Sequence, residues 1–79
     1  MSTKYNLNIM RTLDLAEQLA ALAAQGESES NDNGCAVLYG IVRDCSYRIK
    51  GRAERERQAH KFLGVWDIDE EMQGNPSNE

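Results

Sequence analysis

The chain has few of the residues on which catalytic and metal sites depend. It contains one His, two Cys and one Pro among 79 residues, and aromatic residues make up only 6%. No P-loop, GxGxxG, HExxH or paired CxxC motif is present, and no residue motif resembles a known family. We therefore expect no enzymatic activity, no cofactor and no metal site.

Long apolar runs are also missing. The longest, Cys35–Val42, is far shorter than the roughly 20 residues that cross a bilayer, and the N-terminus lacks the apolar region of a signal peptide. On one predicted helix, Cys35 and Cys45 would be about 15 Å apart, too far for a disulfide within the chain. We expect a cytoplasmic protein with no membrane partner and two buried thiols, an intermolecular disulfide being the alternative.

Two stretches of the sequence have helical periodicity. In Leu7–Ala24 the apolar residues occupy one half of a helical wheel, with Asn6 or Asn8 as the cap and Gly26 as the stop. Residues 26–34 have the composition of a loop, and the last polar residues of this loop can cap the next helix.

The second helix is predicted over about residues 34–63. Its apolar residues form a stripe with heptad-like spacing, and Gly64 is expected to end it, with Val65 and Trp66 folding back onto the last turn. Gly51 is the point where this helix could break in two. On the same stripe, Glu56 lies four residues before His60, which predicts a local contact between the carboxylate and the imidazole.

The expected fold is all-α: an antiparallel two-helix hairpin over residues 1–66, followed by a disordered acidic tail over 67–79. The apolar face of the first helix is wider than one neighbouring helix can cover, which predicts a homodimer forming a four-helix bundle. Residues 52–63 should extend beyond the shorter first helix. The predicted dimer core consists of Leu15, Leu19, Leu22, Leu38, Val42, Cys45 and Ile49.

Charge is segregated along the chain, although the formal net charge is only -4. Seven of the nine Lys and Arg residues lie within residues 43–61, whereas the loop and the tail are acidic. These seven are the candidate partner or polyanion surface: Arg43, Arg48, Lys50, Arg52, Arg55, Arg57 and Lys61. These side chains are either the solvated flanks of a helical bundle or a binding surface. In the second case the acidic tail could cover the surface, with Trp66 and Ile68 as its anchors.

The pattern favours a small non-enzymatic protein that acts by association, as a homodimeric adaptor or regulator with an unidentified protein partner. The alternative is an RNA- or DNA-binding regulator whose basic residues contact phosphates. A pI of about 4.9 is low for a nucleic-acid-binding domain, which places this alternative second.

Overall fold

The computed structural model describes residues 3–68 and shows two helices connected by a short turn. Helix α1 spans Lys4–Glu29 and helix α2 spans Asn33–Phe62. The two pack against each other as an antiparallel hairpin, and the described residues contain no strand. The predicted all-α hairpin is therefore confirmed. From residue 69 onward, the predicted acidic tail lies outside the described residues.

Helix α1 is longer than predicted at both ends. It begins after Thr3, so neither Asn6 nor Asn8 is its N-cap, and it continues through Gly26 to Glu29. Gly26 does not stop the helix, and the ring of Tyr39 lies over it: an added Cβ would come within 2.5 Å of that ring. The glycine therefore permits close packing between the helices.

Helix α2 begins and ends as its sequence predicts. The Asp32 carboxylate accepts a hydrogen bond from the Cys35 N–H at 2.7 Å, which caps the first turn. At the other end Gly64 has φ 79°, and the Val65 N–H donates to the His60 carbonyl at 2.9 Å, as in a Schellman motif. The helix runs through Gly51 without a break.

The seam between the helices is built from small side chains. Ala16, Ala23, Ser46 and Ala53 are all buried, and the Ser46 hydroxyl donates to the Arg43 carbonyl at 2.7 Å. Small residues let two helices approach closely, but they leave no room between the helices for large side chains. The larger apolar residues therefore lie beside the seam.

The structure corrects the expectation that residues 52–63 extend beyond the first helix. Because α1 has 26 residues, it is about 39 Å long and reaches the last turns of α2. Asn6 on α1 contacts His60 on α2, so this end of α2 packs against its own chain.

A pair of glycine substitutions tests the role of close packing at Gly26. Gly51→Ala should stabilise the protein by up to about 1 kcal/mol, because nothing lies within 4 Å of the added methyl and alanine favours the helix. Gly26→Ala gains the same propensity but must displace the ring of Tyr39, so it should destabilise the protein. Urea unfolding followed by circular dichroism measures both. A stabilising Gly26→Ala would contradict the packing argument.

Candidate functional site

One flank of the seam on α1 is apolar and exposed. Leu15 and Leu22 each precede a seam residue, Ala16 and Ala23, and are therefore rotated by about 100° to the same side of the helix. Their side chains are 52% and 49% exposed. The half-buried Leu19 lies between them.

The matching flank of α2 is apolar as well. Leu38 and Cys45 precede Tyr39 and Ser46, which face α1, so they are rotated to one side in the same way. Because the two helices run in opposite directions, the residues before the seam lie on the same face of the hairpin. Leu38 is 50% exposed, Ile41 is 56% exposed, and Cys45 is exposed.

This surface, formed by Leu15, Leu19, Leu22, Leu38, Ile41 and Cys45, is called the leucine face. It includes five of the seven residues predicted for the dimer core, and the other two, Val42 and Ile49, are half-buried at its edge. Within the single chain Cys45 is exposed, because the small-residue seam leaves it outside, and its predicted burial depends on the dimer. Cys35 is half-buried.

The opposite face is polar. Glu17 and Tyr47 each follow a seam residue, and together with Lys50 they line a shallow groove on this side. Tyr47 is well exposed, but its neighbours are charged. The hairpin therefore has one apolar face and one polar face.

The predicted basic surface is divided by the structure. Three of its seven residues form ion pairs with neighbouring carboxylates: Arg43 with Glu27, Arg52 with Glu56 at 2.9 Å, and Arg57 with Glu54 at 3.0 Å. Lys50 lies on the polar face, and Lys61 is half-buried in the last turn of α2. Arg48 and Arg55 are exposed and form no ion pair within residues 3–68.

Arg48 and Arg55 line a groove beside Gly51. Gly51 has no side chain, and within residues 3–68 an added Cβ there would meet no atom within 4 Å. This cavity, called the Gly51 groove, is also lined by Ile9 and Thr12 of α1 and by Tyr47, Ile49, Arg52, Ala53 and Glu56 of α2. It combines exposed guanidinium groups with an exposed aromatic ring, so its surface chemistry suits an acidic partner.

Asn6 anchors the open end of the hairpin. Although polar, it is fully buried, and its amide nitrogen donates to the Val65 carbonyl at 2.8 Å and to the Asp67 carboxylate at 2.7 Å. Its amide oxygen accepts from His60 Nδ1 at 2.6 Å, because both amide hydrogens are already used. The predicted contact between His60 and Glu56 is wrong, since Glu56 pairs with Arg52.

These four residues, Asn6, His60, Val65 and Asp67, are called the Asn6 latch. Aromatic contacts surround it: Tyr5 meets the His60 ring edge-on at 5.2 Å between centroids, and Trp66 lies 6.5 Å from the same ring. The Arg57 guanidinium lies 5.9 Å from the centre of the Trp66 ring, at cation–π distance. Residues 65–67 are therefore docked on both helices.

Asp67 makes the latch sensitive to acid. The hydrogen bond from Asn6, together with the one from the Thr3 N–H at 2.8 Å, lowers the pKa of the Asp67 carboxyl. Because the folded pKa lies below the unfolded one, about 3.9, this contact stabilises the fold above that pH. Its contribution is lost as the pH falls through the lowered pKa.

Within residues 3–68, no three His, Cys, Asp or Glu side chains come together to hold a metal ion. No helix among these residues has both the length and the apolar character needed to span a membrane. Comparison with protein-family models, curated proteins and solved structures finds no match to this chain. The two candidate sites, the leucine face and the Gly51 groove, are therefore inferred from the structure of this chain alone.

The Asn6 latch is tested by a pair of neighbouring asparagines. Asn6→Ala leaves His60 Nδ1 and the Val65 carbonyl without their partner and should cost about 2–3 kcal/mol of unfolding free energy. Asn8→Ala, on the exposed surface of the same helix, should change it by less than about 0.5 kcal/mol. Urea unfolding monitored by Trp66 fluorescence measures both. Equal effects of the two substitutions would refute the latch.

Proposed function

We propose that the protein acts by association: a non-enzymatic homodimer whose leucine faces pack together and whose Gly51 grooves bind an acidic protein partner. The observation that carries this proposal is the leucine face. It contains four neighbouring large apolar side chains that are about half exposed, and a patch of this kind is typical of an interface, whereas single exposed leucines are not. A second copy fits this face because it has the same chemistry, and a two-fold axis covers both faces at once.

The small size of the chain supports a partner subunit. A hairpin whose buried residues are mostly alanine and serine removes little apolar surface from water, and apolar burial is the main stabilising term in folding. Packing two leucine faces together adds the missing core. The His60 imidazole is held in the Asn6 latch, which favours a structural role for it over a catalytic one.

The Gly51 groove supports a second contact, with another molecule. Arg48 and Arg55 can pair with carboxylates of an acidic polypeptide, and the exposed ring of Tyr47 adds apolar contact area. Three of the seven basic side chains already form ion pairs within the chain, and this favours a protein partner over a nucleic acid. Two free thiols support a reducing location, and we propose the cytoplasm.

The dimer is tested by one substitution on each face of the hairpin. Leu38→Glu places charges in the apolar interface and should raise the dimer dissociation constant by at least about 100-fold, which corresponds to about 2.7 kcal/mol. Tyr47→Glu introduces the same charge on the polar face and should leave the dimer intact. Sedimentation equilibrium of both variants and the original protein measures this. A folded monomer at micromolar concentration for the original protein would refute the dimer.

The partner class is tested with a mixed RNA and DNA pool at two salt concentrations. A protein-binding groove predicts only non-specific affinity for the pool, with a Kd weaker than about 1 μM at physiological salt. Full-length protein and a chain lacking residues 69–79 should behave alike, because this truncation removes none of the residues that line the Gly51 groove. Sub-micromolar, salt-sensitive binding that Arg48→Ala/Arg55→Ala abolishes and Lys50→Ala retains would favour the nucleic-acid alternative instead.

A further inference from the structure

We propose that the two copies pack antiparallel, with the turn of each hairpin beside Arg11 of the partner subunit and Cys45 next to its own copy. This inference rests on the proposed homodimer and adds the orientation that the apolar pattern alone leaves open. In this arrangement a second copy of this chain covers the leucine face.

The two ends of the leucine face differ in charge. On α1 the row through Leu15 and Leu22 continues by the same two-turn spacing to Glu29, which is exposed. The turn after α1 carries Asp32, whereas Glu27 is already paired with Arg43. The turn end of the face is therefore acidic.

At the other end the face is basic. On α1 the same row extends back to Arg11, which lies 18 residues, or five turns, before Glu29 and is therefore on the same side of the helix. Arg11 is exposed and forms no ion pair within residues 3–68. On α2 the row through Leu38 and Cys45 continues to Arg52, which pairs with Glu56 and leaves no net charge there.

This distribution favours one of the two possible orientations. In a parallel dimer both turns lie at the same end, and Glu29 of one copy is about 27 Å along the helix axis from Arg11 of the other. In an antiparallel dimer α1 packs on α1 of the partner, so the acidic turn of each copy lies beside Arg11 of the other, and the attraction occurs twice because of the two-fold axis. Complementary charge at both rims thus selects the antiparallel arrangement.

Cys45 lies near the position of the two-fold axis. Ser46 and Ala20 line the same groove on the polar side, so Cys45 is level with residues 19–20 of α1. That level is midway between Leu15 and Leu22, at the centre of the leucine face. An axis that covers both apolar faces completely must pass through this centre.

The orientation then decides what Cys45 touches. With an antiparallel axis, α2 packs on α2 of the partner and Cys45 lies against its own copy. With a parallel axis, α2 packs on α1 of the partner, and Cys45 lies against Leu19 of the partner subunit. Only the first arrangement brings two Cα atoms within the roughly 7 Å that a disulfide requires.

The test is disulfide cross-linking of the full-length chain with its own cysteines. Cys35→Ser leaves Cys45 as the sole thiol, and copper–phenanthroline with dissolved oxygen oxidises two adjacent thiols to a disulfide. We expect most of the Cys35→Ser protein to run as a covalent dimer on a non-reducing gel, and Cys45→Ser to remain monomeric there. A matched control, Cys35→Ser/Cys45→Ser/Tyr47→Cys, carries an exposed thiol on the polar face and should not cross-link.

Sedimentation of the same samples before oxidation separates the two proposals. A dimer that cross-links through Cys45 supports both. A dimer in which Cys45 fails to cross-link overturns the antiparallel arrangement and leaves the proposed homodimer in place. A monomer overturns both, and cross-linking of the Tyr47→Cys control to the same extent as Cys45 shows collision rather than packing and also overturns the arrangement.

Discussion

The size of the side chains between the two helices is the constraint on which the rest of the structure depends. Ala16, Ala23, Ser46 and Ala53 let α1 and α2 approach closely, and the ring of Tyr39 on Gly26 continues this close contact to the turn. A seam this narrow has no space for leucine. Leucines placed one residue before the seam are therefore displaced to a common face, so tight packing within the chain creates the exposed apolar surface on which the proposed dimer depends.

The helix ends show which features could be predicted from sequence. Asp32 and Gly64 act through neighbours within a few residues, so local pattern was sufficient to predict the cap and the stop of α2. Gly26 looks like a stop by the same local criterion. Its role is instead set by Tyr39, a residue from the other helix, and a contact of this kind leaves no periodic signal in the sequence.

The same limit applies to the polar residues. Asn6 was predicted as a possible cap because asparagine favours that position, but its partners His60, Val65 and Asp67 lie at the other end of the chain. The sequence located the basic residues along α2 correctly. It could not show which of them are neutralised by pairing, because that depends on side-chain positions around the helix and, for Arg43, on a carboxylate of α1.

The two ends of the hairpin depend on different interactions. At the open end, the Asn6 latch holds residues 65–67 on both helices through hydrogen bonds that are satisfied within one chain. The leucine face occupies the part nearer the turn, where hydrogen bonds between α1 and α2 side chains are few among the described residues and the helices meet through small residues. In the proposed dimer a second copy covers the leucine face and adds apolar burial to this part of the hairpin. Because a partner that binds only the folded chain stabilises it, the proposed dimer couples folding to association.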